Sequence, residues 1–350
     1  MSRQLALDII NLKPTGQVGH TEYSLEYHPE YAAARLGLAQ DDPGLWRALY
    51  DDWGIDFCWS TDDGLHGNWG ARGRCTDMGH AAYAGDGSDL HQPATCPFTS
   101  PEEVWAFDPV AEYGLPHFDE QVAAYQRGVT AALQSRPNQL VTGGYYKTIV
   151  SGGIQAFGWD MLLEAAADRK RMEAAWDRFF RFTLHHMKAW AQTSVEVIIQ
   201  HDDFVWSAGA FMNPSIYRDI IIPRYAELWK PLHAAGKKVL FCSDGLFDMF
   251  VEDLAEAGAD GFIFEPCNRF GAMAERVGKS KALVGSCVDC RDLSFGTWET
   301  VRETIDETLR IARQCAGVIL AVGNHMPSNI PDSMMDRFIE HVKANRVFHD

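Results

Sequence analysis

The chain repeats one hydrophobic pattern with few interruptions: a short apolar run, a polar cluster, then a stretch whose apolar residues fall three and four apart. Eight short β-rich runs stand out, at 55–59, 104–107, 139–143, 195–200, 238–241, 261–264, 282–285 and 318–321. Segments 219–235, 246–257, 298–315 and 333–344 carry helical spacing, and Gly236 and Gly258 are natural C-caps for the first two. Residues 160–192 read as two charged, aromatic helices of an outer layer. Strand and helix in alternation imply parallel strands. The expected fold is therefore α/β, a (β/α)8 TIM-type barrel forming one domain over residues 1–350. Residues 64–101, rich in Gly, His, Asp and Pro, read as a long loop over its mouth.

A parallel barrel keeps its chemistry at the carboxyl ends of its strands, and polar clusters follow every run. In order they are Thr61-Asp62-Asp63, Asp108, Tyr145-Tyr146-Lys147, His201-Asp202-Asp203, Cys242-Ser243-Asp244, Glu265-Pro266-Cys267, Cys287 with Asp289 and Cys290, and Asn324-His325. Paired acids at Asp62-Asp63 and Asp202-Asp203 can raise one another's pKa into general-acid range, although one member of each pair is expected to cap a helix instead. Cys242, Asp244, Cys267 and His325 are side chains that bind a borderline-soft ion such as zinc, set against the common fate of such cysteines as buried core residues. The Cys287–Cys290 pair lacks a second knuckle and reads as two buried thiols. Trp53, Trp59, Trp69, Tyr145, Tyr146, Phe204 and Trp206 would suit a wide pocket for a ring-bearing or methylated substrate, though many must be core. Gly143-Gly144 and Gly152-Gly153 match no phosphate loop and imply only close backbone approach.

Composition narrows the classes. A formal charge of −17 over 350 residues disfavours nucleic acid and anionic membrane surfaces. No apolar stretch nears the length of a membrane span, the first 13 residues do not read as a signal peptide, and eight scattered cysteines need no disulfides, so a soluble cytoplasmic protein is expected.

The second half resembles the uroporphyrinogen decarboxylase superfamily. The carrying residues run from HDDFVWSAGAFMNPSIYRDIIIPRYAELWKPLHAAGKKVLFCSDG through EDLAEAGADGFIFEP and VGSCVDCRDLSFGTWETVRETI to VILAVGNHMPSNIPDSMMDRFIEHV. The first half is more weakly similar, through TEYSLEYHP, WSTDD and YYKTIVSGG. The resemblance implies the barrel and a homodimer, and it offers two chemistries. True decarboxylases carry an arginine-rich segment near the start that binds carboxylates; here TEYSLEYHPEY is acidic and aromatic, with only Arg72 and Arg74 in the loop as substitutes. Corrinoid-linked methyltransferases bind zinc through His-x-Cys after the fifth strand and Cys after the eighth; the matching positions are Cys242-x-Asp244 and His325, a permuted set.

The expected activity is thus methyl transfer between a small aromatic or thiol substrate and the corrinoid of a partner protein, the chain having no corrinoid-binding DxHxxG of its own. Zn(II) would be held by Cys242, His325 and Asp244 or Glu265, while Asp203, His201 and Tyr146 position or protonate the substrate. The alternatives are metal-independent decarboxylation, with Asp62 stabilising a protonated pyrrole-like intermediate, and a barrel that binds a ligand without chemistry.

Overall fold

The β-branched and aromatic runs become the staves of one parallel sheet. In a computed structural model that describes residues 2–63, 96–146, 148–323 and 325–348, and only the backbone of Asp62 and Asp63, these strands are β1 (Gly19–His20), β2 (Phe57–Cys58), β3 (Asp62–Asp63), β4 (Leu140–Val141), β5 (Gly143–Tyr146), β6 (Val197–His201), β7 (Lys238–Ser243), β8 (Gly261–Phe264), β9 (Ala282–Val284) and β10 (Val318–Leu320). The ladder runs β1-β10-β9-β8-β7-β6-β5-β3, every neighbour parallel, and β2 pairs with β4. β2 and β3 are consecutive stretches of one stave, as are β4 and β5. Asp56 N–H donates to the His20 carbonyl at 2.8 Å and Thr21 Oγ1 to the Phe57 carbonyl at 2.5 Å, which ties the first stave to the second and joins the two ends of the ladder. The architecture is the (β/α)8 barrel that the alternation predicts.

Two staves correct the sequence reading. Residues 104–107 are not a strand: 104–106 belong to the helix Pro101–Ala106 and Phe107 follows as its C-cap, with Ser100 extended at the N-cap, Pro101 in the first turn and Glu102 and Glu103 behind it. That start signal outweighs the β propensity of a four-residue run. Asp108 is consequently a cap, accepting from Val110 N–H at 2.9 Å. The stave that replaces the misread one is β1, too short to show an apolar run. Elsewhere the readings hold: 160–192 forms the helices Trp159–Ala166 and Arg169–Ala191, and Gly236 and Gly258 sit at helix ends with φ of +74° and +120°. Gly143 and Gly144 do mark close approach, since a Cβ on Gly143 would fall 2.5 Å from the Trp190 ring.

Phe57, Leu140, Ile199, Leu240, Ile263, Val284 and Ile319 fill the barrel, and the helix Ser2–Ile10 closes its amino-terminal end with Ala6, Ile9 and Ile10. No helix among the described residues is long and apolar enough to cross a membrane.

One buried carboxylate organises the opposite, functional end. Asp202, fully buried just past β6, accepts hydrogen bonds from Thr148 Oγ1 (2.7 Å), Ile149 N–H (3.0 Å), Val150 N–H (3.1 Å), Ser151 N–H and Oγ (both 2.6 Å) and Tyr225 Oη (2.6 Å). It therefore caps the helix Val150–Phe157, far upstream in sequence, rather than the helix that follows it. Burial, then the carboxylate beside it, pushes the Tyr225 phenol well above its usual pKa, so the hydroxyl stays a donor. Asp202→Ala orphans all of these donors at once and is expected to cost upward of about 4 kcal/mol, the range of a broken buried network, read by urea denaturation; a loss under about 1 kcal/mol would show the network to be dispensable.

Candidate active site at the barrel mouth

At the carboxyl ends of the strands lies a cavity of about 80 Å³. Tyr23, Trp59 and Tyr146 supply aromatic walls, and His201, Cys242, Asp244, Glu265 and His325 supply the polar groups. The pairing of β6 with β7 sets His201 directly opposite Cys242, so the clusters after these two strands are necessarily adjacent.

Asp203 lies behind this lining and holds it in place. Its carboxylate accepts from Tyr146 Oη at 2.6 Å, pairs with His201 Nε2 at 2.9 Å and accepts from the Asp244 backbone N–H at 2.8 Å. The Tyr146 ring stacks on His201 with centroids 4.0 Å apart and planes inclined by 21°. Burial works to raise the Asp203 pKa, but the His201 charge and hydrogen bond, helped by Tyr146 and the Asp244 amide, outweigh it and hold the carboxylate below its ordinary range. Asp244 is pushed the other way, well above that range, by burial and then by the negative charges of Asp203 and Glu265. Burial and the same three carboxylates push the Cys242 thiol up as well. Glu265 accepts from Gly245 N–H at 2.8 Å. No lysine or arginine lines the cavity among the described residues.

Among those residues, His201, Asp203 and Asp244 form the group of potential ligands whose donor atoms all lie within 4.8 Å of one another. Of the four expected ligands Cys242, Asp244, Glu265 and His325, all line the cavity but only Asp244 belongs to that group. The His325 ring is turned toward Ser24, whose Oγ bonds its Nδ1, and it packs against Tyr23 with centroids 4.6 Å apart. The expected catalytic residues Tyr146, His201 and Asp203 are brought into direct contact. Asp62 has its backbone opposite Tyr145 at the same end of the barrel, and its side chain lies outside the described residues. So do Lys147, Asn324, Trp69, Arg72, Arg74 and most of the 64–101 loop. Cys267 is exposed, and the thiols of Cys287 and Cys290 lie away from the cavity. Trp53, Tyr145 and Phe204 are core, and Trp206 is 44% exposed.

Sequence reasoning missed Tyr23 as a lining residue. The signal for Tyr23 was its position just after β1, unreadable while that stave went unrecognised.

The opposite shifts of Asp203 and Asp244 carry a stability consequence. A carboxyl whose pKa is raised on folding binds its proton more tightly when folded, so stability falls as pH rises from the ordinary carboxylate range through the raised value. Asp244→Asn removes that penalty. In chelator, wild-type thermal stability is expected to fall relative to the variant as pH rises above the ordinary carboxylate range, leaving the variant ahead by roughly 2–4 °C; parallel profiles would show that the Asp244 charge is not destabilising.

No curated protein matches the chain significantly in sequence. Among solved structures, a methyltransferase from Methanosarcina mazei is similar in fold, with a TM-score of 0.65 and 14% identity, 98% of each chain being covered. A D-psicose 3-epimerase from Clostridium cellulolyticum H10 also aligns, over 88% of this chain and 94% of its own, but a TM-score of 0.38 and 11% identity make it too distant to carry an argument. Residues 148–345, more than half of the chain, match the profile described as uroporphyrinogen decarboxylase (URO-D). That stretch runs from the helix capped by Asp202, through the His201–Asp203 and Cys242–Asp244 clusters, to the final helix, and on this match the chain belongs to the uroporphyrinogen decarboxylase (URO-D) family.

Proposed function

We propose that this chain is a metal-assisted methyltransferase that moves a methyl group between a heteroatom of a small substrate and the corrinoid of a partner protein. The observation that carries the reading is the charge imbalance of the mouth. Asp244, Glu265 and Cys242 crowd one small cavity with His201, Asp203 lies directly behind them, and no described lysine or arginine lines the cavity. Acids and a thiol buried in this way must hold protons or share a cation. Imidazole, carboxylate and thiolate are the donors that zinc accepts, so His201, Asp203 and Asp244 are the residues that would hold it, with Cys242 and Glu265 beside them. When bound, such an ion supplies Lewis-acid charge to the reacting heteroatom.

The chain's own residues account for the remainder. Asp203 fixes the His201 ring through Nε2, and Tyr146 packs over its face, so the imidazole is held in one orientation at the cavity wall. When the methyl carbon leaves an oxygen or sulfur, that atom keeps the bonding electron pair and takes up a proton from water at the mouth, since His201 and Asp203 are engaged as ligands. Trp59 and Tyr23, with ring centroids 4.5 Å apart, narrow the opening and favour a flat substrate.

A second reading, metal-free decarboxylation, is favoured by one observation: β3 brings the Asp62 backbone to the same end of the barrel. Turnover of uroporphyrinogen that is abolished by Asp62→Asn would establish it.

Elemental mass spectrometry of protein purified without chelator is expected to find about one zinc per chain, lost in His201→Ala and Asp244→Ala. Because burial and the neighbouring carboxylates favour the protonated forms of Cys242 and Asp244, zinc uptake should release protons into a weakly buffered solution, and apparent affinity should rise with pH. Methyl exchange with added methylcobalamin, followed by its absorbance, should depend on the loaded metal. No stoichiometric metal after zinc reconstitution would overturn the reading.

A further inference from the structure

A second cavity, of about 640 Å³, lies outside the barrel wall, between β2, β4 and β5 on one side and the helix Phe118–Ser135 and Trp190 on the other. The methyl chemistry proposed above makes no use of it. Its volume falls within the range of about 300–1,000 Å³ typical of sites for small organic molecules. Tyr23, Trp59 and Thr61 line both this cavity and the mouth, so the two compartments meet at those residues.

Three features give the side cavity the character of a binding site. Gln121 lines it, is only 5% exposed, and has no hydrogen-bond partner for its side-chain amide among the described residues. An amide that no described protein group engages, on the wall of a space large enough to admit a partner, is available to bond one. Tyr125 and Trp190 stack on the same wall, with centroids 4.0 Å apart and planes 10° from parallel. Gly128, inside the helix Phe118–Ser135, lines the cavity too, and a Cβ added there would meet nothing within 4 Å. Glycine in a helix interior is unfavourable, and here its effect is to keep the space open.

The charges around the cavity are already paired. Arg136 bonds Glu26 at 3.1 Å and sits over the Tyr50 ring at 4.1 Å, while Glu22 pairs with His20 at 2.9 Å. Each of these charged groups is already engaged by a neighbour, whereas an amide and a stacked aromatic wall suit a neutral ring.

We infer that this side cavity binds a neutral, planar ring compound bearing an amide, carbonyl or hydroxyl group, with Gln121 as its hydrogen-bonding partner and its far end directed past Tyr23, Trp59 and Thr61 to the mouth. The identification of that far end with a transferable methyl group rests on the methyltransferase reading; the binding does not.

The test is calorimetric titration with 4-methoxybenzamide, a neutral ring with an amide at one end and a methoxy group at the other. Wild type is expected to bind it with Kd below about 1 mM, and the charged analogue 4-methoxybenzoate about tenfold more weakly. Gln121→Leu should weaken the amide about tenfold, and Gly128→Leu, which fills the open space, should abolish binding, with zinc content unchanged in both. Should Gly128→Leu fail to fold, Gly128→Ala adds one methyl group in open space and should give a smaller weakening in the same direction. No binding to wild type up to about 10 mM, or equal affinity in the variants, would overturn the inference. Binding lost in both variants without any methyl exchange by wild type would leave this inference standing while removing the methyltransferase reading. Exchange on a small thiol without any binding of the amide would do the reverse.

Discussion

The functional end of this barrel depends on the six hydrogen bonds that converge on Asp202. A buried carboxylate is tolerable only when its lone pairs are fully answered, and here the answer comes from the first turn of the helix Val150–Phe157 and from Tyr225. The network reaches further through Thr148, whose hydroxyl also accepts from the Gln200 amide at 3.2 Å. The end of β6, the helices beyond it and the turn after β5 are thereby fixed to one another. Asp203 is the next residue along, and its direction is set by that anchorage. Two adjacent acids thus divide the work: Asp202 faces the helical layer and holds the fold, while Asp203 faces the mouth and holds His201 and Tyr146.

The mouth spends part of that stability. Asp203 is satisfied by three donors and stays ionised, but its charge, with that of Glu265, makes ionising Asp244 and Cys242 unfavourable. A cavity arranged only for folding would place an arginine or an apolar residue there. Cys242 shows the junction clearly, since it belongs to the apolar cluster inside the barrel and also lines the cavity. The same feature that lowers stability gives the site its capacity to take a cation or pass a proton.

Membership of the URO-D family fixes the scaffold more firmly than the chemistry, because one barrel supports many reactions by varying the loops at the carboxyl ends of its strands. In this chain the described lining of the mouth is acidic and aromatic, with no described basic side chain to receive a substrate rich in carboxylates. The side cavity departs from the minimal barrel as well, opening between a stave and its covering helix where Gly128 and Ala132 leave room.

The sequence by itself determined the parallel α/β alternation, the barrel and the polarity of its ends, because strand and helix periods are local and survive any packing. It also determined that the residues after β6 and β7 would be acids, a histidine and a cysteine. It did not reveal β1, whose two residues draw their strand geometry from pairing with β10, and it misassigned 104–107, where Ser100 and Pro101 start a helix in a run of β-rich residues. Which acid would cap and which would face the mouth was decided by tertiary structure, since Asp202 finds its donors some 50 positions upstream. The convergence of His201, Asp203 and Asp244, and the turning of His325 toward Ser24, were likewise decided there. Such groupings depend on register between strands and on the packing of loops distant in sequence, and neither leaves a periodic trace along the chain.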